Sequence, residues 1–179
     1  PATAQGLLKL AGFPQGQGFP RVSLLYNKSE LNEQVAVEIQ AQWKRVLGVE
    51  VELRNQEWAT YLKSLDELDF DIARSSWVGD YDDPNTFLDC FVTGRGNNRT
   101  GWSDPTYDSL LASALAEPNP ARRLQLLAQA ETILVTQAFP IIPLYHFVGC
   151  LMFDPSQWAG LYPNLLDEHP FAEIRKKDK

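Results

Sequence analysis

The sequence predicts an α/β fold, a βαβ-containing mixed sheet flanked by helices, and three observations carry that prediction. A continuous apolar run, Val22–Tyr26, is followed by a long amphipathic stretch, Leu31–Leu47, and then by an alternating run, Val49–Leu53. Strand, helix and strand in that order form a crossover unit whose two strands lie parallel and whose hand is right. A third strand, Phe70–Ser75, is reached through a second helical stretch, Glu57–Leu65, so a three-stranded parallel core is the economical arrangement.

The elements follow from local chemistry. Ala2–Leu10 reads as a short helix that Gly12-Phe13-Pro14 stops, because proline cannot continue the hydrogen-bond ladder. The glycines and proline of Gln15–Pro20 mark a loop. The unbroken apolar character of Val22–Tyr26 predicts burial on both faces. Ser29 supplies a capping oxygen for the next helix, where Val35, Ile39, Trp43 and Val46 fall on one face. Gly48 ends that helix, and Val49, Val51 and Leu53 alternate inward along the second strand. The next helix carries Trp58, Tyr61, Leu62 and Leu65 on its apolar side.

In the third strand the alternation sets Phe70, Ile72 and Arg74 against Asp71, Ala73 and Ser75. The strand runs out in Trp77-Val78-Gly79-Asp80, where Gly79 permits a bend. Asp83-Pro84 has the grammar of a helix start, as do Asp104-Pro105 and Asn119-Pro120 further on. Between them, Thr93–Trp102 reads as an exposed loop. The last two helices present Tyr107, Leu110, Leu111 and Ala114, then Leu124, Leu127, Ala128, Leu134 and Val135. Pro140 and Pro143 make the extended run through Phe153 an edge or crossover segment rather than a central strand. From Asp154 onward no periodicity predicts an element.

Composition narrows the function. With 179 residues, 44% hydrophobic and 22% charged, the chain is of ordinary globular make-up. A net charge of −7 argues against a nucleic-acid partner, and no apolar run is long enough to span a membrane. Cys90 and Cys150 each sit among apolar neighbours and read as buried free thiols, with a bridge between them left open. No cysteine or histidine spacing suits a metal, and Asp80, Asp82 and Asp83 miss the calcium-loop pattern at Asn85 and Phe91. His146 reads as a packed or hydrogen-bonded ring rather than a ligand, and His169, in the irregular tail, is unassigned.

The chemistry concentrates after the third strand. An indole, Trp77, and a carboxylate, Asp80, three residues apart at a strand end form a site for an ammonium group. The alternatives are a core tryptophan at 77, and an arginine at 74 that either orients the carboxylate or is an edge-strand charge. Asp80 with Asp82 as hydrolase carboxylates is a further alternative, without a nucleophile or oxyanion hole to support it.

Three blocks then resemble a known family. LLYNKSELNEQVAVEIQAQWKRVLGVEVELRNQEWATYL, FDIARSSWVGDYDDPNTFLDCF and NNRTGWSDPTYDSLL resemble, in order and spacing, the last part of the extracytoplasmic oligopeptide- and dipeptide-binding proteins of ABC importers, extracellular solute-binding protein family 5. The likeness runs over residues 1–153, and W-x-G-D-Y-x-x-P is its most distinctive part. It implies a non-enzymatic, two-lobed periplasmic-binding-protein-like receptor that closes over a peptide without a cofactor. Residues 1–147 would be the second lobe, and 148–179 a crossover strand and C-terminal segment returning toward the first. The resemblance implies that Asp80 binds the ligand's amino terminus, that Trp77 and Arg74 line the same cavity, and that Trp58 walls a side-chain pocket. Asn32 and Tyr145 complete the expected ligand-binding set. Oligopeptide-binding relatives carry basic side chains near the positions of Asn32, Leu65 and Asp66, which here are neutral or acidic. The implied partners are a peptide and ABC permease subunits, in a periplasmic or extracytoplasmic location with a preceding lipid anchor as an option. A non-peptide solute (a nickel complex, haem or an opine-like compound) and a sensory module reusing the lobe are the alternatives.

Overall fold

Strand β1, Val22–Asn27, is the centre of the first sheet, and its three consecutive buried residues Leu24, Leu25 and Tyr26 show why. In this computed structural model, which describes residues 1–164 and 167–177, β1 pairs in parallel with β2 (Val51–Gln56) on one side and β3 (Ile72–Ala73) on the other. Sheet order is therefore β2-β1-β3, parallel throughout. Leu24 and Tyr26 join Ala36, Val49 and Val51 in one cluster. Leu25 points the other way, to Tyr61 and Leu65. A central strand in a parallel sheet must be apolar on both faces, since helices cover each.

Those helices are α2 (Glu30–Leu47), which contributes Ala36 to the first cluster, and α3 (Trp58–Asp66), which contributes Tyr61 and Leu65 to the second. The Ser29 side chain caps α2 by accepting from the Asn32 amide, and Gly48 closes it in the left-handed region at φ 71°. A Cβ at Gly48 would collide with the Gln15 carbonyl oxygen in the turn that follows α1 (Ala2–Leu10). Gly48→Ala is therefore expected to destabilise the fold by more than about 1 kcal/mol, read as a lowered urea midpoint.

Several boundaries differ from expectation. β2 starts two residues later than the alternation suggests and continues to Gln56, because its register follows β1 as far as Asn27↔Gln56. β3 has only two residues, although the Arg74 amide adds one more bond, to the Leu25 carbonyl at 2.8 Å. Phe70 packs with Ala73 and Leu65 rather than on the face of Ile72, since the extended backbone begins only after Asp71.

The chain divides into two compact units: Pro1–Ser76 with Arg99–Gly101, and Trp77–Asn98 with the described residues from Trp102 onward. The second is built on a helical core. Leu88 of the short α4 (Asn85–Leu88) meets Tyr107, Leu111 and Ala114 of α5 (Pro105–Ala116) and Leu127 and Ala130 of α6 (Pro120–Thr132). Asp104 and Asn119 cap α5 and α6 with their side chains, as the two X-Pro pairs predict. Leu124 and Ala128 face solvent instead of the core, because the stripe through Leu127, Ala130 and Leu134 continues one turn back to Arg123, not Leu124.

The run after α6 is extended and solvent-exposed from Ile142 through Phe153, without regular structure. Cys150 lies in it and is exposed, contrary to the buried thiol expected there, whereas Cys90 is buried; both are free. Beyond Asp154, where no element is predicted, β4 (Trp158–Ala159) and β5 (Arg175–Lys176) form a small antiparallel pair. Of the 148–179 segment, residues 165, 166, 178 and 179 lie outside the described residues.

Candidate ligand-binding site

In open α/β sheets ligands bind beyond the carboxyl ends of strands, where neighbouring connections leave in opposite directions. In the first unit β1 leads to α2 on one face of the sheet and β2 to α3 on the other, and the carboxyl ends of β1 and β3 lie side by side. Asn32 and Arg74 both belong there. Asn32 is buried, and its amide NH2 donates to the Asn27 carbonyl at 3.1 Å and side-chain oxygen at 2.9 Å. It thus clips the β1–α2 turn, and its donors are used within the fold.

Arg74 is only 9% exposed, so it is not a solvated edge charge even though β3 is an edge strand. The buried Tyr61 hydroxyl donates to the Arg74 carbonyl at 2.8 Å and fixes the backbone there. Burial raises the Tyr61 pKa, so the phenol remains a donor at neutral pH. Trp58 is turned out of the helix's buried side: it is 58% exposed and stacked on the Tyr61 ring at 5.6 Å. Being one turn N-terminal to Tyr61, it covers that ring from outside, and its other face is open.

In the second unit, Trp77 and Asp80 line one cavity of about 310 Å³ with Tyr81, Thr86, Asp89, Arg95, Gly96 and Asn97. Trp77 is 41% exposed, so it is not a core tryptophan. The Asp80 amide donates to the Thr86 hydroxyl at 2.9 Å, while the Asp80 carboxylate is exposed and accepts no hydrogen bond from any described residue. Asp89 is already paired with Arg95 at 3.0 Å. Among the lining carboxylates, Asp80 is therefore the one left for a cation.

Gly79 serves this geometry by close approach. A Cβ there would press on Phe87 and Thr86, each at 3.1 Å, so the bend expected from glycine is here a packing requirement. Asp83 is not the N-cap expected of it: α4 begins at Asn85, with Pro84 in the cap position. It accepts the Asn85 amide at 2.9 Å and also grips Arg123 through both oxygens, at 2.6 and 2.9 Å. The Arg123 hydrogen bond, then that of the Asn85 amide, holds its carboxyl below the ordinary aspartate value. That grip is present above the usual carboxylate range and is lost as pH falls through the depressed value. Beneath, burial pushes the Cys90 thiol up to about 11, with Asp89 and Asp80 adding to it, so no thiolate forms at neutral pH.

Tyr145 is not among the residues around this cavity; it lies half-exposed in the extended run, its ring 5.8 Å from that of Phe147. Sequence reasoning missed Thr86, Asp89, Arg95 and Asn97. The three-to-four-residue spacing from Asp83-Pro84 into α4 marks Thr86 and Asp89 as one turn's neighbours, but nothing local points from the 93–98 loop to Asp80. Among the described residues no acidic, cysteine and histidine group is placed to hold a metal, and no helix is long and apolar enough to cross a membrane.

Residues 1–99 match the family model described as bacterial extracellular solute-binding proteins, family 5, middle region. The chain belongs to that family. It is 39% identical over 162 residues to the periplasmic murein peptide-binding protein MppA of Escherichia coli K12, covering 90% of this chain and 29% of that protein. It is 38% identical, again over 162 residues, to the probable deoxycholate-binding periplasmic protein YgiS of the same organism, covering 90% of this chain and 30% of that one. Among solved structures, a periplasmic oligopeptide-binding protein of Borrelia burgdorferi, OppAIV, matches at a TM-score of 0.78 with 34% identity, over 98% of this chain and 35% of the other. The chain thus spans about a third or less of the length of the family-5 proteins it matches. Its α/β architecture is that of a family-5 lobe. Family-5 proteins are solute-binding proteins rather than enzymes, which sets aside the hydrolase reading of Asp80 and Asp82.

Proposed function

We propose that this chain is the ligand-gripping second lobe of an extracytoplasmic receptor that delivers peptides to an ABC importer, with Asp80 anchoring the peptide's amino terminus. One observation carries the reading: a carboxylate without a partner among the described residues, beside an exposed indole, in a cavity whose other carboxylate is already neutralised. Such an oxygen pair accepts charge-assisted hydrogen bonds from an ammonium group, and the indole face adds a cation–π contact. The peptide-binding relatives support the peptide as ligand. Trp58, with one ring face open, is assigned to a side-chain pocket wall, and Arg74 to ligand binding at the strand end of the first unit. Asn32 acts through the β1–α2 turn it fastens, and Tyr145 through the extended run that returns toward the first lobe. Permease subunits are the expected protein partners.

N-acetylation of a peptide removes the ammonium charge and adds a small neutral acetyl group in its place. In the full-length receptor it is expected to weaken binding at least about tenfold by calorimetry, since it leaves Asp80 facing a neutral amide. Equal affinity for free and acetylated peptides would reject the anchor. That outcome would favour a second reading, a non-peptide solute, for which the likeness to a probable deoxycholate-binding protein speaks.

A further inference from the structure

We propose that Arg123 is a positioning residue for amine recognition, acting through Asp83 to fix the loop that carries Asp80; the inference rests on the reading of Asp80 as the anchor. The loop from Asp80 to Asp83 leads into α4, a helix of four residues. So short a helix has no stability of its own, and apart from the core contacts of Leu88 it cannot by itself hold the loop that precedes it. The loop is instead stitched to α4 and then to something rigid.

The Asp80 amide donates to Thr86, the Asn85 side chain donates to the Tyr81 hydroxyl at 3.1 Å, and the Asn85 amide donates to Asp83. These bonds make the loop and α4 one piece. Among the described residues, only the Asp83–Arg123 ion pair, between residues 40 apart, ties that piece to α6 by a salt bridge. Both side chains are 26% exposed, so the pair is partly withdrawn from water. Helix α6 is long, and Leu127, one turn beyond Arg123, is in the helical core. A two-point guanidinium–carboxylate contact sets direction as well as distance, which a single ammonium does not. Arg123 is not among the residues around the cavity, yet the Asp80 carboxylate stands where that contact places it.

The test compares trialanine and trilysine with their N-acetylated forms, by calorimetry on the full-length receptor. In the wild type the free amine is expected to be preferred. Arg123→Ala is expected to reduce that preference about tenfold, by weakening the free peptides while acetylated peptides change less than about twofold. Arg123→Lys, with charge but no fork, should recover part of the preference. Asp83→Asn, which preserves shape and the acceptor for Asn85, should match Arg123→Ala and add nothing to it. It also serves if Arg123→Ala fails to fold. A general loss of structure would weaken free and acetylated peptides alike, and that result would overturn the inference. So would a wild-type preference retained in both variants. A wild type that does not distinguish the two forms would instead reject the anchor, and this inference with it.

Discussion

Asp80→Ala in the full-length receptor is expected to weaken peptide binding by about 3–5 kcal/mol, roughly a hundred- to several-thousand-fold in Kd. In this lobe the carboxylate is exposed, and there its attraction for an amine is screened by water. The large effect belongs to the closed receptor, where the first lobe would exclude solvent and the remaining partner would be a buried ammonium with nothing opposite it. Asp80→Asn should fall between wild type and alanine, because the amide oxygen still accepts a hydrogen bond but carries no charge. Arg95 remains paired with Asp89 in either variant, so the cavity's other charges are undisturbed. Calorimetry across the three proteins decides the matter: alanine binding as tightly as aspartate would mean that the ammonium is held elsewhere.

The second large effect concerns the platform beneath the cavity. Tyr107 is fully buried in the helical core, edge-on to Trp102 at 5.1 Å, and its hydroxyl donates to the Leu88 carbonyl at 2.6 Å. Tyr107→Ala is expected to destabilise the second unit by about 3–5 kcal/mol, the usual cost of deleting a buried ring and leaving the space unfilled. Tyr107→Phe retains the ring and should cost about 1 kcal/mol, for the lost hydrogen bond. Urea unfolding of the two variants separates packing from hydrogen bonding, and equal losses would mean that the ring itself contributes nothing. Burial, reinforced by nearby negative groups, raises the Tyr107 pKa. The folded state therefore holds this proton above the ordinary tyrosine value while the unfolded chain releases it. The sign is a loss of stability as pH rises past that ordinary value, with no contribution below it.

Most of the frame was legible because it rests on local chemistry. Ser29, Gly48, Asp104 and Asn119 mark helix ends by side-chain oxygens and a left-handed backbone, and each does so in the structure. The two-faced burial of β1 follows from its unbroken apolar run. Misreadings arose where a residue's direction depends on something distant in sequence. Phe70 is apolar and next to a strand, but only the packing of α3 decides which side it joins. Trp58 looks like core by spacing, yet Tyr61 already fills that space and the indole lies over it. Leu124 reads as part of the buried stripe that Arg123 continues instead, because hydropathy cannot anticipate a carboxylate 40 residues away. The cavity itself was half legible. Trp77 and Asp80 announce themselves at a strand end, whereas Arg95 and Asn97 are brought to them by a glycine-rich loop without a periodic signal.

The exposed run from Ile142 to Phe153 sets the terms on which these 179 residues can live in water. It is a greasy ribbon, with Met152 almost wholly and Phe147 and Val148 mostly in solvent, and no charged side chain between Ile142 and Phe153 to blunt it. Soluble proteins seldom tolerate such a stripe bare, and its ready outlets are chaperone capture and adhesion between copies. Expression of this polypeptide by itself is thus a colloidal problem before it is a biochemical one.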